Sequence, residues 1–185
     1  MIILASASPR RRSLLKKIID DFKIIPSNIE ENIPNNININ EVSEYLSTKK
    51  ALSVLEKFPE DTVIGADTII VFKNKIFGKP KDKDDAREML QQLSGNTHQV
   101  ITGVCIASKE RTISFSSINK VKFYELSDKE IDEYLSIDEY KDKAGSYAIQ
   151  SKGGLFIKSI DGDYNSIIGL PIAKLNRVLK SFFNI

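Results

Sequence analysis

The stretch DTVIGADTIIVF, residues 61–72, constrains the fold more than any other part of the chain. It is a β-rich run that ends in a tight KNK turn at 73–75 and resumes as a second short strand, IFG. Helical patterns surround this hairpin. Leu14, Leu15, Ile18 and Ile19 recur at helical spacing and predict a helix over 9–20, and Val42, Tyr45, Leu46, Ala51 and Leu55 predict another over 41–57. The segment 82–95 has Asp82 as N-cap, Asp85 three residues on and Gly95 as its stop. Ser127 and Glu130 form a capping box for a helix over 128–136, and a proline opens the last helix, 171–183. Strands are expected at 2–6, 22–26, 97–107, 111–118, 119–125 and 154–160, and the Asn-rich stretch 27–40 reads as a loop. Strands mixed with helices indicate an α/β or α+β domain around one mixed sheet.

At 185 residues and 41% hydrophobic composition, the chain has the size and apolar content of a single domain, 1–185, with one core. The 27 basic and 25 acidic residues nearly cancel, which argues against a broad nucleic-acid surface. The absence of tryptophan and of interleaved aromatic residues argues the same way. One cysteine, Cys105, cannot form an internal disulfide, and no Cys/His cluster has metal-ligand spacing. No signal-peptide pattern is present, and no apolar stretch approaches the ~18 residues of a spanning helix. The expectation is a soluble, cytoplasmic protein with no membrane partner.

Two placements stand out chemically. Asp67 puts a carboxylate in the middle of an apolar strand, sharing a face with Gly65 and Ile69. Such a charge costs several kcal/mol unless it is paired, hydrogen-bonded or metal-bound. It is either solvated at a strand end or a site carboxylate acting as general base or metal ligand. In SASPRRR, Ser8 is a good N-cap and Pro9 suits the first helical position, so Arg10, Arg11 and Arg12 occupy the first turn. Positive charge there opposes the helix dipole by about 0.3–1 kcal/mol per residue. An anion held by backbone N–H groups and guanidinium forks would offset that cost, although exposed arginines tolerate it singly.

Lys79 sits between Gly78 and Pro80 in a rigid turn, and Gln150 lies in the loop-like DKAGSYAIQSKGG, where its amide could read a base edge. Either residue alone is a weak signal. His98, the one histidine, reads as a packed structural residue. A Ser-His-Asp hydrolase lacks its Gly-x-Ser-x-Gly elbow here, and no phosphate-binding P-loop is present.

Taken in order, LASASPRRRSLL, IGADTIIV, GKPKDKDDAREMLQQLSGNTHQVITGV, DKAGSYAIQ and IDGDYNSIIGLP resemble the Maf family, septum-formation-inhibitor-like proteins, nearly end to end. The resemblance implies an α/β fold with a central mixed, twisted sheet flanked by helices, related to the inosine-triphosphate pyrophosphatases. It implies hydrolysis of a nucleoside triphosphate to the monophosphate and pyrophosphate with a divalent metal, Mg²⁺ or Mn²⁺, in the service of nucleotide-pool house-cleaning. Asp67 matches the family's proton acceptor and a metal ligand, and Glu31 an acidic residue near the metal. Ser6, Arg11, Lys50 and Lys79 match residues lining the phosphate cleft.

Arg10, Thr68 and Gln150 match the positions that separate subfamilies, and this trio resembles the branch acting on dTTP and UTP. Ser151 replaces the glycine that commonly follows the glutamine, and Ser146 and Ala148 also depart from the usual loop. The alternatives carried forward are a 7-methyl-GTP pyrophosphatase and a non-catalytic inhibitor of septum formation that acts by binding. The resemblance also implies a homodimer.

Overall fold

The computed structural model describes residues 1–183. Its strands are β1 (Ile2–Leu4), β2 (Lys23–Ile24), β3 (Thr62–Phe72), β4 (Lys75–Phe77), β5 (Thr97–Ala107), β6 (Thr112–Phe123) and β7 (Ile157–Asp161). The helices are α1 (Pro9–Leu15), α2 (Val42–Leu55), α3 (Lys83–Leu93), α4 (Asp128–Leu135), α5 (Tyr164–Ile168) and α6 (Ile172–Val178). The strand order is β2-β1-β3-β5-β6-β7, with β4 paired to β3. β1 runs parallel to β2 and β3, whereas β3–β4 and β6–β7 are antiparallel, so the sheet is mixed. This is the expected α/β class.

Local chemistry explains the boundaries. Ser8 caps α1 by accepting the Arg11 backbone N–H at 3.4 Å, and Asp82 caps α3 by accepting that of Asp85 at 2.8 Å. Ser127 and Glu130 close their capping box in both directions. α1 is shorter than its periodicity suggests. Beyond Leu15 the backbone tightens, Lys17 and Ile18 donating to Leu14 and Leu15 three residues back. The two strands expected between 111 and 125 are one continuous strand, β6. The segment from 152 begins as a 3₁₀ turn, Lys152–Phe156, before β7.

The chain divides into two compact units. The first comprises Met1–Thr68, Thr102–Ser117 and the residues from Asp163 onward. Its core includes Ile3, Val54, Val63 and Ala107, and it buries Cys105, whose thiol is pushed up to about 11 by desolvation. Helix α2 lies against β3 and β5 at backbone contact. A Cβ on Gly65 would stand 2.3 Å from the Ser47 carbonyl oxygen, and one on Gly103 would stand 2.2 Å from that of Ser43. Only residues without a side chain permit this approach.

The second unit comprises Ile69–Ile101 and Ile118–Gly162. Its core holds an aromatic cluster in which His98 meets Phe123 and Tyr147 edge to face, with ring centroids 5.0 and 5.5 Å away. His98 Nε2 also hydrogen-bonds the Tyr147 hydroxyl at 2.7 Å. Burial lowers the His98 pKa to about 4, so the folded protein holds this imidazole neutral. The unfolded chain takes up a proton below about 6.5, and unfolding is therefore linked to proton uptake between those values. Stability is expected to fall as pH drops from about 6.5 toward 4, by about 3 kcal/mol in full. Urea unfolding across that range checks this, and His98→Gln should flatten the slope between pH 6.5 and 5. An unchanged slope would assign the acid sensitivity to other groups.

Candidate active site

The first unit gathers seven of the residues singled out in the sequence: Ser6, Arg10, Arg11, Glu31, Lys50, Asp67 and Thr68. Asp67 lies in β3, its side chain only 10% exposed. The buried charge is paired, as its apolar surroundings require. Lys50, projected from α2, places Nζ 2.6 Å from Asp67 Oδ1 and 2.7 Å from Glu31 Oε1. One ammonium thus joins a strand carboxylate to a carboxylate from the loop before α2. Glu31 remains more than half exposed, so this end of the bridge opens to solvent.

Arg11 forms the second cluster. Its Nε donates to the Gly169 carbonyl at 3.0 Å, Nη1 to Ser6 Oγ at 3.2 Å and Nη2 to Thr68 Oγ1 at 3.2 Å. Desolvation lowers its pKa, opposed by attraction to Asp67, and Arg10 adds like-charge repulsion. A guanidinium nevertheless stays charged in a protein. Three of its N–H groups are placed by these bonds, which leaves one on each terminal nitrogen for an anion. Ser6 Oγ accepts from both Arg11 and the Ser8 N–H, so its own proton is available to donate outward.

The three arginines of the first turn separate by environment. Arg11 reaches inward, Arg12 is exposed, and Arg10 is half-buried, with an Nε that finds no hydrogen-bond partner among the described residues. Burial lowers the pKa of Arg10 as well. Arg10 therefore carries donor capacity that the fold does not use.

Lys79 and Gln150 belong to the second unit. Lys79 is exposed, with Nζ 3.6 Å from Asp142 Oδ1, and Gln150 is also exposed. Their two loops are joined by the Gly145 N–H, which donates to the Gly78 carbonyl at 3.0 Å. Gly145 holds φ at +65°, and its neighbour Ser146 adopts +67°.

Sequence reasoning missed three contributors. Gly169 supplies the carbonyl that holds Arg11 Nε, and its φ of +135° favours glycine. It ends α5, a helix capped by Asp163 and not anticipated. Thr102 links Thr68 to the Ser166 carbonyl through its hydroxyl. An aspartate and a glycine bracketing YNSII were the available signal for α5.

The donor set bears on a metal. Glu31 and Asp67 offer hard carboxylate oxygens around one cationic position, and no group of three or more His, Cys, Asp or Glu residues that could hold a metal occurs among the described residues. Two carboxylates fit Mg²⁺ or Mn²⁺, which keep waters and accept phosphate oxygens, better than a closed all-protein cage. No helix among the described residues is long and apolar enough to cross a membrane.

The chain is 49% identical over 181 residues to a dTTP/UTP pyrophosphatase of Bacillus cereus (strain G9842), covering 98% of this chain and 95% of that one. It is 48% identical over 180 residues to a protein of the same name from Bacillus cytotoxicus, covering 97% and 94%. Among solved structures, a HAM1 protein from Coxiella burnetii superposes with a TM-score of 0.55 over 97% of this chain and 98% of that one, at 13% identity. That likeness concerns the fold alone. With residues 1–182 matching the family described as Maf-like protein, the chain belongs to the Maf family.

Proposed function

We propose that this protein hydrolyses dTTP and UTP to the monophosphate and pyrophosphate. The observation that carries the reading is Lys50 held between Asp67 and Glu31 in the same unit as the inward-facing Arg11. Relatives nearly half identical to this chain and named dTTP/UTP pyrophosphatase support it and do not favour the alternatives of 7-methyl-GTP hydrolysis or septum inhibition by binding alone.

A triphosphate brings roughly four negative charges. Arg11 and Lys50 neutralise part of that charge, and Ser6 donates its hydroxyl proton. Glu31 and Asp67 would hold Mg²⁺ or Mn²⁺, which when bound supplies charge neutralisation and polarises phosphate oxygens. Asp67 takes the proton of the attacking water. The water oxygen bonds to the α-phosphorus as the bond to the bridging oxygen breaks, and pyrophosphate leaves. Arg10 and Thr68 discriminate among bases, and the activity serves cytoplasmic nucleotide-pool cleaning by a homodimer.

The test is pyrophosphate release from a panel of common and modified triphosphates with Mg²⁺ or Mn²⁺. The reading expects dTTP and UTP to exceed 7-methyl-GTP by about tenfold or more in kcat/KM. It fails if every triphosphate stays intact with both metals.

A further inference from the structure

We infer that Thr102 is a positioning residue that fixes the direction of the Thr68 hydroxyl and, through it, the Arg11 guanidinium. Thr102 is fully buried in β5, between Ile101 and Gly103. A hydroxyl with no exposure must be satisfied internally, and its partners determine the polarity of the whole chain of bonds. Thr102 Oγ1 lies 2.8 Å from the Ser166 carbonyl oxygen, which can only accept. The single Thr102 proton is therefore committed to Ser166.

In the 2.9 Å contact between the two threonine hydroxyls, Thr102 must then accept and Thr68 must donate. Thr68 has one proton, and it is spent. Toward Arg11 Nη2, at 3.2 Å, the Thr68 oxygen can act only as acceptor, which is what a guanidinium needs. The bonds close into a ring, because the Gly169 N–H also donates to the Ser166 carbonyl at 2.9 Å while the Gly169 carbonyl accepts from Arg11 Nε. Arg11 is thereby held at two of its nitrogens by one connected set of groups.

This deepens the role of Thr68 and rests on the triphosphate reading above. With its proton committed, Thr68 offers none to a base or a phosphate. Toward a base it can serve only as an acceptor, and it also sets which way the Arg11 fork points, while Thr102 sets Thr68. Thr102→Val keeps the shape of the side chain and removes the hydroxyl, leaving the Thr68 proton without its acceptor and free to turn toward Arg11. A proton facing an N–H donor is repelled, so the fork loses its fixed orientation.

The experiment compares Thr102→Val and Thr102→Ser in the full chain, with thermal unfolding measured on both. Thr102→Val is expected to lower kcat/KM for dTTP roughly tenfold and to weaken competitive inhibition by inorganic tripolyphosphate by a similar factor, whereas Thr102→Ser should stay within about twofold of the parent. On an Arg11→Lys background, where the fork is gone, Thr102→Val should add almost nothing. Wild-type kinetics in Thr102→Val, or an equal loss on the Arg11→Lys background, would overturn the inference. Should Thr102→Val not unfold cooperatively, Thr102→Ala removes the same hydroxyl without adding bulk and carries the comparison.

Solvent exchange of the Arg11 Nε–H, followed by ¹⁵N NMR without nucleotide, separates this inference from the activity. If the wild-type protein cleaves no triphosphate, the functional reading falls. Faster exchange in Thr102→Val would still support the positioning role, and unchanged exchange would sink it.

Discussion

Asp67→Asn is expected to lower kcat for dTTP by about 10³-fold, within the span that a positioned general base contributes. Asparagine preserves the shape of the side chain and can still meet Lys50, which keeps its second partner Glu31 at 2.7 Å. What disappears is the oxygen able to take a proton from water and one negative charge near the phosphates. Measured at saturating Mg²⁺, which offsets the loss of one of the two carboxylates that would hold the metal, KM should change little, and circular dichroism should report an unchanged fold. A split of this kind assigns Asp67 to the chemical step. If the variant kept more than about a tenth of kcat, another group would be activating the water.

The second large effect is structural. Gly103→Ala should destabilise the protein by about 3 kcal/mol or more, lowering Tm by roughly 6–12 °C in a chain of this length. The new methyl carbon would lie 2.2 Å from the backbone of Ser43, and backbone cannot swing aside as a flexible side chain can. Either α2 lifts from β5 or the strand bends, and Lys50 moves with α2. Gly78→Ala is the control, because nothing stands within 4 Å of its added carbon, and its stability should be close to that of the parent. Equal melting temperatures for the two variants would mean that α2 moves aside at little cost.

What could be read from the residues alone was local. Ser8, Asp82 and Ser127 announced their helices because a cap and the N–H it satisfies lie within three residues of each other. Asp67 was legible because a carboxylate in an apolar run needs a partner wherever it folds. The identity of that partner was not, since Lys50 lies 17 positions earlier on a helix where it and its neighbour Lys49 look alike in sequence. Lys50 and Glu31 entered through the family resemblance. Thr102 was invisible for another reason: a threonine in a strand satisfies β-propensity and gives no sign that its hydroxyl is spoken for. Helix α5 escaped because five residues are too few to show a helical period.

The bond between Arg11 and Gly169 spans 158 positions of sequence. At ribosomal rates of about 5–20 residues per second, on the order of ten seconds or more separates the emergence of these two residues. Once residue 67 has emerged, a nascent chain carries Asp67, Lys50 and the arginines for the rest of that interval, but lacks the carbonyl that holds the guanidinium in place. The unit containing them is assembled from three separated segments, so its closure waits on the last, and such long-range closure is slow. A chain stalled before residue 169 would therefore carry the carboxylate without the clamp.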